Sequence, residues 1–176
     1  MFDSIFEDVE LKDFISSKIN DPWEGTNFEG YVHMQPKHKG MFGELFVSRW
    51  LEVCGLIVEC RVNAGHDIIV NCSKTEVKFG LATRDKFGNI VQDSFIINHI
   101  SEGKDWERLI VCGINENEKD IRLFWFSKED FCDYLKTNQS IFSHQQGGKA
   151  IENDDYMCKN MNELRKLTFI REIEEW

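Results

Sequence analysis

The spacing of apolar positions divides the chain into helical and strand-like stretches. Leu11 to Ile19 is predicted as a short amphipathic helix, ended by the turn chemistry of Asp21-Pro22-Trp23-Glu24-Gly25, with a loop to Gly40. Met41 to Cys54 reads as a second helix, with apolar positions at 42, 45, 46, 50 and 53 and Gly55 as its stop. Leu56 to Val62 is β-rich and Ala64-Gly65 is a turn. His66 to Cys72 is predicted as a strand, and Ser73-Lys74 closes a hairpin into Thr75-Glu76-Val77-Lys78-Phe79. Ser94 to Ile97 fits either a strand or the start of a helix. Arg108 to Ile114 is a buried strand, with Ile121 to Phe126 as its hairpin partner. Ser127 caps a helix over Lys128 to Lys136, whose first turn carries Glu129 and Asp130. Residues 137–160 are polar and irregular, and Asn162 to Glu175 returns to helix or strand. The expected fold class is α/β, a central mixed sheet flanked by helices on both faces.

Length and composition narrow the class. One domain with its own core fits 176 residues, and 41% hydrophobic residues with two prolines, Pro22 and Pro36, argue against disorder. No apolar run reaches membrane-spanning length, and the acidic start lacks a signal peptide's basic residues, so a soluble cytoplasmic protein is expected. The six cysteines contain no C-x-x-C pair and mostly lie in apolar runs, which favours buried thiols over a zinc site.

A net charge of −10 argues against a polyanion partner until its distribution is considered. Residues 1–30 carry eight acidic and two basic side chains, residues 151–176 seven and four, and the middle is close to neutral. Two stretches have no carboxylate: residues 31–43, with His33, Lys37, His38 and Lys39, and residues 134–151, with Lys136, His144 and Lys149. They read equally as ordinary solvated loops and as places where a polyanion approaches.

The residues that carry chemistry lie on the predicted hairpin. Glu76 and Lys78 share one face of a strand, with Val77 pointing into the core. The hairpin brings Asp67 beside Glu76. Two adjacent carboxylates repel and favour a cation between them, and oxygen ligands suit Mg²⁺. Lys78 is then placed to act on a water and a phosphate oxygen, as phosphodiester hydrolysis requires. Glu44, on the preceding helix beside Met41, Val47 and Leu51, is expected to face protein, and Gly43 leaves room for a close approach to the strand.

This arrangement resembles the PD-(D/E)xK nuclease superfamily of restriction enzymes, junction resolvases and mismatch nicking enzymes. Asp67 matches its first acid, Glu76 the second, Lys78 the lysine, and Glu44 the helix glutamate of many members. His66 stands where the family often has proline. The resemblance covers about residues 40–137 and is most like a small type II restriction endonuclease. It implies a restriction-endonuclease-like core and catalytic Glu44, Asp67, Glu76 and Lys78. The three acids would hold Mg²⁺, with Mn²⁺ able to substitute. The implied substrate is double-stranded DNA, cut by a homodimer whose two-fold axis presents one site to each strand.

Residues 138–176 form a tail beyond that core. Gln145 and Gln146 are suited to adenine edges, and Gly147 and Gly148 allow backbone close to a groove. With Lys149, Arg84, Lys86 and Lys39 as further contacts, these are the expected DNA-binding residues. The competing readings are a same-fold nuclease on another substrate, such as a junction resolvase or nicking repair enzyme, and a non-catalytic interaction module. A surface hairpin with an incidental ion pair is the plain alternative for the motif.

Overall fold

The computed structural model describes residues 21–63, 65–117, 120–137, 141–144, 155–158 and 161–176. The predicted helix over Leu11 to Ile19 lies outside them. The described residues group into two compact units, divided between Met34 and Gln35. In the smaller, Asp21 ties a turn together, accepting from Trp23 N (2.9 Å) and Gly30 N (2.5 Å). Trp23 and Phe28 pack edge to face there, with ring centroids 5.9 Å apart.

The larger unit opens with helix α1, Pro36–Val53. It begins five residues earlier than its apolar spacing predicts, because Pro36 occupies the first helical turn with its φ already set. Strands β1 (Val58–Asn63), β2 (His66–Val70) and β3 (Ser73–Leu81) follow as an antiparallel meander. The β2–β3 turn is two residues, Asn71 and Cys72, both at positive φ (46° and 69°). That left-handed pair matches the twist of the flanking strands, so the hairpin closes two residues earlier than Ser73-Lys74 suggests. Strand β4 (Ile97–Ser101) leaves for another sheet, and β5 (Arg108–Ile114) returns parallel to β3. Strand β6 (Ile121–Ser127) pairs antiparallel with β5, and helix α2 (Lys128–Leu135) starts at Ser127. Ser127 caps it as expected, its Oγ accepting from Asp130 N at 3.1 Å.

The six-stranded mixed sheet has the order β1-β2-β3-β5-β6-β9, with β9 at Arg171–Glu172. The region read as irregular supplies two short strands, β7 (Ser143–His144) and β8 (Asp155–Cys158), which join β4 in a second, three-stranded sheet. A short helix, α3 (Met161–Leu164), precedes β9, so the C-terminal stretch is both helix and strand.

Alternation along the strands sorts the side chains onto two faces. The face of Thr75, Val77 and Phe79 packs on α1. A Cβ at Gly43 would lie 2.4 Å from Phe79 Cβ, so the helix seats closely only because glycine stands there. The buried positions of α1 are Gly43, Val47, Ser48 and Leu51. The stripe expected inward is therefore offset: Leu45, Trp50 and Val53 are exposed. The opposite face carries Glu76 and Lys78, in register with Leu109 and Val111 of β5 and through them with Phe126 and Phe124 of β6. It is covered by the main core cluster, which includes Phe131 of α2, Phe95, Trp106, and Ile97 and Ile100 of β4. Trp106, Phe124 and Trp125 are all buried, as core rather than as stacking platforms.

The thiols divide. Cys112 and Cys158 are buried, and burial pushes Cys112 well above the ordinary thiol range. Cys54 and Cys72, expected inside, are exposed, since one ends α1 and the other sits in the β2–β3 turn. Among the described residues no helix is long and apolar enough to cross a membrane.

Candidate active site

The β2–β3 hairpin does what its spacing predicts. Ile68 pairs with Thr75, so Asp67 and Glu76 are the next positions along the ladder and face the same side of the sheet. The ladder does not continue through them. Asp67 Oδ2 accepts from Val77 N at 2.8 Å in place of a strand carbonyl. This bond fixes the first acid on the backbone of the motif, and Oδ1 is the oxygen a ligand would meet.

Glu76 is the most enclosed charged group of the set, with 1% of its surface exposed. Its burial follows from register. It stands on a central strand beside Leu109, under the core cluster. Oε1 takes two ammonium groups, Lys78 Nζ at 2.8 Å and Lys104 Nζ at 2.7 Å. Oε2 is buried and has no hydrogen-bond partner. A buried polar atom left unpaired costs roughly 1–3 kcal/mol, and more when charged. Glu76 thus combines an ion-paired oxygen with one that lacks a donor or cation.

The two other acids feel this crowding. Burial first, and then the neighbouring charge of Glu76, hold the Asp67 carboxyl above its ordinary range, against the pull of the Val77 N–H, Lys78 and Lys104. Glu44 is shifted the same way, by burial and then by Asp67 and Glu76. The helix glutamate therefore lies within the electrostatic reach of the hairpin pair, and an added cation would relieve all three.

Glu44, Asp67 and Glu76 offer the oxygen donors that a hard divalent ion takes, with one Glu76 oxygen unsatisfied, but the three carboxylates are not gathered into a ready site. Among the described residues no three His, Cys, Asp or Glu side chains stand close enough to hold a metal as they are. His66, beside Asp67, is buried with neither ring nitrogen bonded.

The other predicted contacts are spread out. Lys39 lies in the first turns of α1, half-buried. Arg84 and Lys86 are exposed in the loop after β3, where Arg84 bridges to Ile90 and Lys86 Nζ sits 4.9 Å from the centre of the exposed Phe87 ring. Gln145, Gln146 and Lys149 lie outside the described residues.

Lys104 is the site residue that spacing does not reveal. It precedes β5, and its approach to Glu76 depends on the parallel β3–β5 pairing, which no local pattern announces. No family model matches this chain, and no curated protein matches it.

Proposed function

We propose that this protein is a metal-dependent phosphodiesterase acting on duplex DNA, an endonuclease of the restriction-endonuclease-like kind. The observation that carries the reading is the buried Glu76, with its two lysines and one unpartnered oxygen, beside Asp67 on the same sheet face. A surface ion pair would leave Glu76 solvated. The mixed sheet, the parallel β3–β5 pair and the helix bearing Glu44 support the same reading.

Asp67, Glu76 and Glu44 are the residues that would hold Mg²⁺ or Mn²⁺. Such an ion lends positive charge to phosphoryl oxygens and makes water more acidic. Asp67 is held in orientation by Val77 N, so its free oxygen keeps one direction. Lys78 Nζ, anchored on Glu76 at 2.8 Å and only 15% exposed, is positioned as an ammonium to orient the attacking water and to donate to a phosphoryl oxygen. The hydrophobic frame of Leu109 and Val111 beside these groups limits water and strengthens each charge interaction. A homodimer would supply one such centre per strand.

The test is incubation with plasmid and linear phage DNA in Mg²⁺, with chelator as control. Discrete bands are expected. A smear would remove sequence specificity, cutting of branched DNA alone would mean a resolvase-like substrate, and no cutting of any DNA would overturn the reading.

A further inference from the structure

Strand β3 carries Glu76 and Lys78 and then runs into a hairpin over residues 83–94, whose tip bears an exposed phenylalanine. We propose that Phe87 is a base-stacking wedge for duplex DNA, with Arg84 and Lys86 seated on the neighbouring phosphates. This rests on the duplex-DNA reading above and is independent of any metal.

The hairpin is built to hold the ring out. Its stem is tied by Thr83 N donating to Ser94 O at 2.7 Å, Val91 N donating to Thr83 O at 2.8 Å, and the bridge between Arg84 and Ile90. Its tip is tied by Asp85. Oδ1 accepts from Phe87 N at 2.8 Å and Asn89 N at 2.9 Å, and Oδ2 accepts from Asn89 Nδ2 at 3.1 Å. Gly88 completes the turn at φ 89°, where a side chain would be strained. Ile90 packs against the core cluster, yet Phe87, three residues earlier, is 77% exposed. A large apolar ring kept in water by a tied turn suits a partner with a flat apolar face, and a nucleic-acid base has one.

Charge selects that partner. Lys86 Nζ lies 4.9 Å from the centre of the Phe87 ring, and a Cβ at Gly88 would lie 3.9 Å from an Arg84 guanidinium nitrogen, so both cations stand at the same tip. Both are exposed. Asp85 is the one acid among residues 82–92, and its oxygens are turned onto the backbone and side chain of the tip. The tip therefore presents two cations around one ring, in a chain whose net charge is −10. An apolar pocket on a protein would match the ring alone. A duplex matches both, with phosphates for the cations and a base step that an apolar wedge can open. Nine residues separate Lys78 from Phe87, a reach of at most about 32 Å, so one duplex can meet both.

The test uses the whole chain as wild type, Phe87→Ala, Phe87→Trp and Lys86→Ala. Each is checked for folding by circular dichroism and for association by size-exclusion chromatography. Fluorescence anisotropy in Ca²⁺, at two salt concentrations, measures binding to a fully paired duplex and to the same duplex with one unpaired base. Wild type should prefer the second, since an unpaired base is already partly unstacked. Phe87→Ala should bind both duplexes roughly tenfold more weakly, lose that preference and keep the wild-type salt slope. Phe87→Trp should retain the affinity and the preference. Lys86→Ala should keep the preference and lose about 0.9 from the salt slope, the value of one phosphate contact. Equal binding of the two duplexes by wild type, or a Phe87→Ala that binds as wild type does, overturns the wedge. A Phe87→Ala that changes the elution volume and not DNA binding makes the ring a protein contact and overturns it as well. If wild type binds neither duplex, the DNA reading itself fails; if it binds both and only the Phe87 variants match it, that reading survives and the wedge alone is wrong.

Discussion

Lys78 illustrates how much a single position can be asked to do. It pairs with the buried Glu76 from the same strand face, two residues on, so its removal deletes one ammonium while Lys104 still neutralises the carboxylate. Lys78→Ala is therefore expected to keep its circular dichroism spectrum and its DNA binding but lose roughly 10²-fold or more in cleavage rate. A variant cutting at wild-type rate would remove Lys78 from the mechanism. Asp67 gives a stability signature instead. Folding raises its pKa, chiefly through burial and the Glu76 charge, so the ionised form destabilises the fold. That penalty is full above the raised value, fades as pH falls through it, and is absent below the ordinary carboxylate range. Asp67→Asn keeps an oxygen for Val77 N and removes the charge. In chelator near about pH 8 it should melt roughly 2–4 °C higher than wild type, with the gap closing toward about pH 3. Equal melting at both ends would show that the carboxylates do not strain the fold. Asp67, Glu76 and Lys78 were legible because alternation in a hairpin is a local rule. Lys104 was not, because its partner is brought to it across the sheet.

At the scale of elements, α1 shows where periodicity misleads. Its large apolar residues at 45, 50 and 53 satisfy helical spacing, yet the face that buries is the one with the smallest side chain, Gly43. Close seating against Phe79 outweighs the bulk of the residues left outside. The starts of β2 and β6, the Arg108–Ile114 strand and the Ser127 cap were readable, since each rests on neighbours in sequence, whereas β1, β3 and β4 start two or three residues from where the pattern puts them. The second sheet was not, because β4 and β8 find each other only in three dimensions. Gly43→Ala should be favourable for the helix alone by close to 1 kcal/mol. In the folded chain the new methyl meets Phe79 Cβ at 2.4 Å, so α1 must shift. A net loss of roughly 1–3 kcal/mol in urea titration is expected. A stabilised Gly43→Ala would mean that the helix is free to ride outward.

For the whole molecule, a net charge of −10 sets the terms on which any nucleic acid is met. Attraction must come from local cations such as Arg84, exposed beyond β3, rather than from the overall field. Arg84→Ala should weaken binding to specific and scrambled duplexes alike and flatten the salt dependence, as loss of a phosphate contact does. A loss confined to one sequence would make it a base reader instead. The strand order also determines when the site comes into being. The β1–β2–β3 meander and the β5–β6 hairpin are each local and form on the microsecond scale. Their union is the parallel β3–β5 pairing, with Ala82 to Glu107 to be closed into a loop between them. That non-local step is the slow one, and it is also the step that takes Glu76 out of water. Stopped-flow refolding followed by Trp106 and Trp125 should therefore slow when Ile110 is trimmed to Val. A change in the β2–β3 turn, such as Asn71→Ala, should also act mainly on the folding rate and leave unfolding nearly unchanged, because that hairpin is already formed at the slow step. A nascent chain thus carries Asp67, Glu76 and Lys78 harmlessly hydrated, and the three become a chemical unit only when β5 slides in beside them.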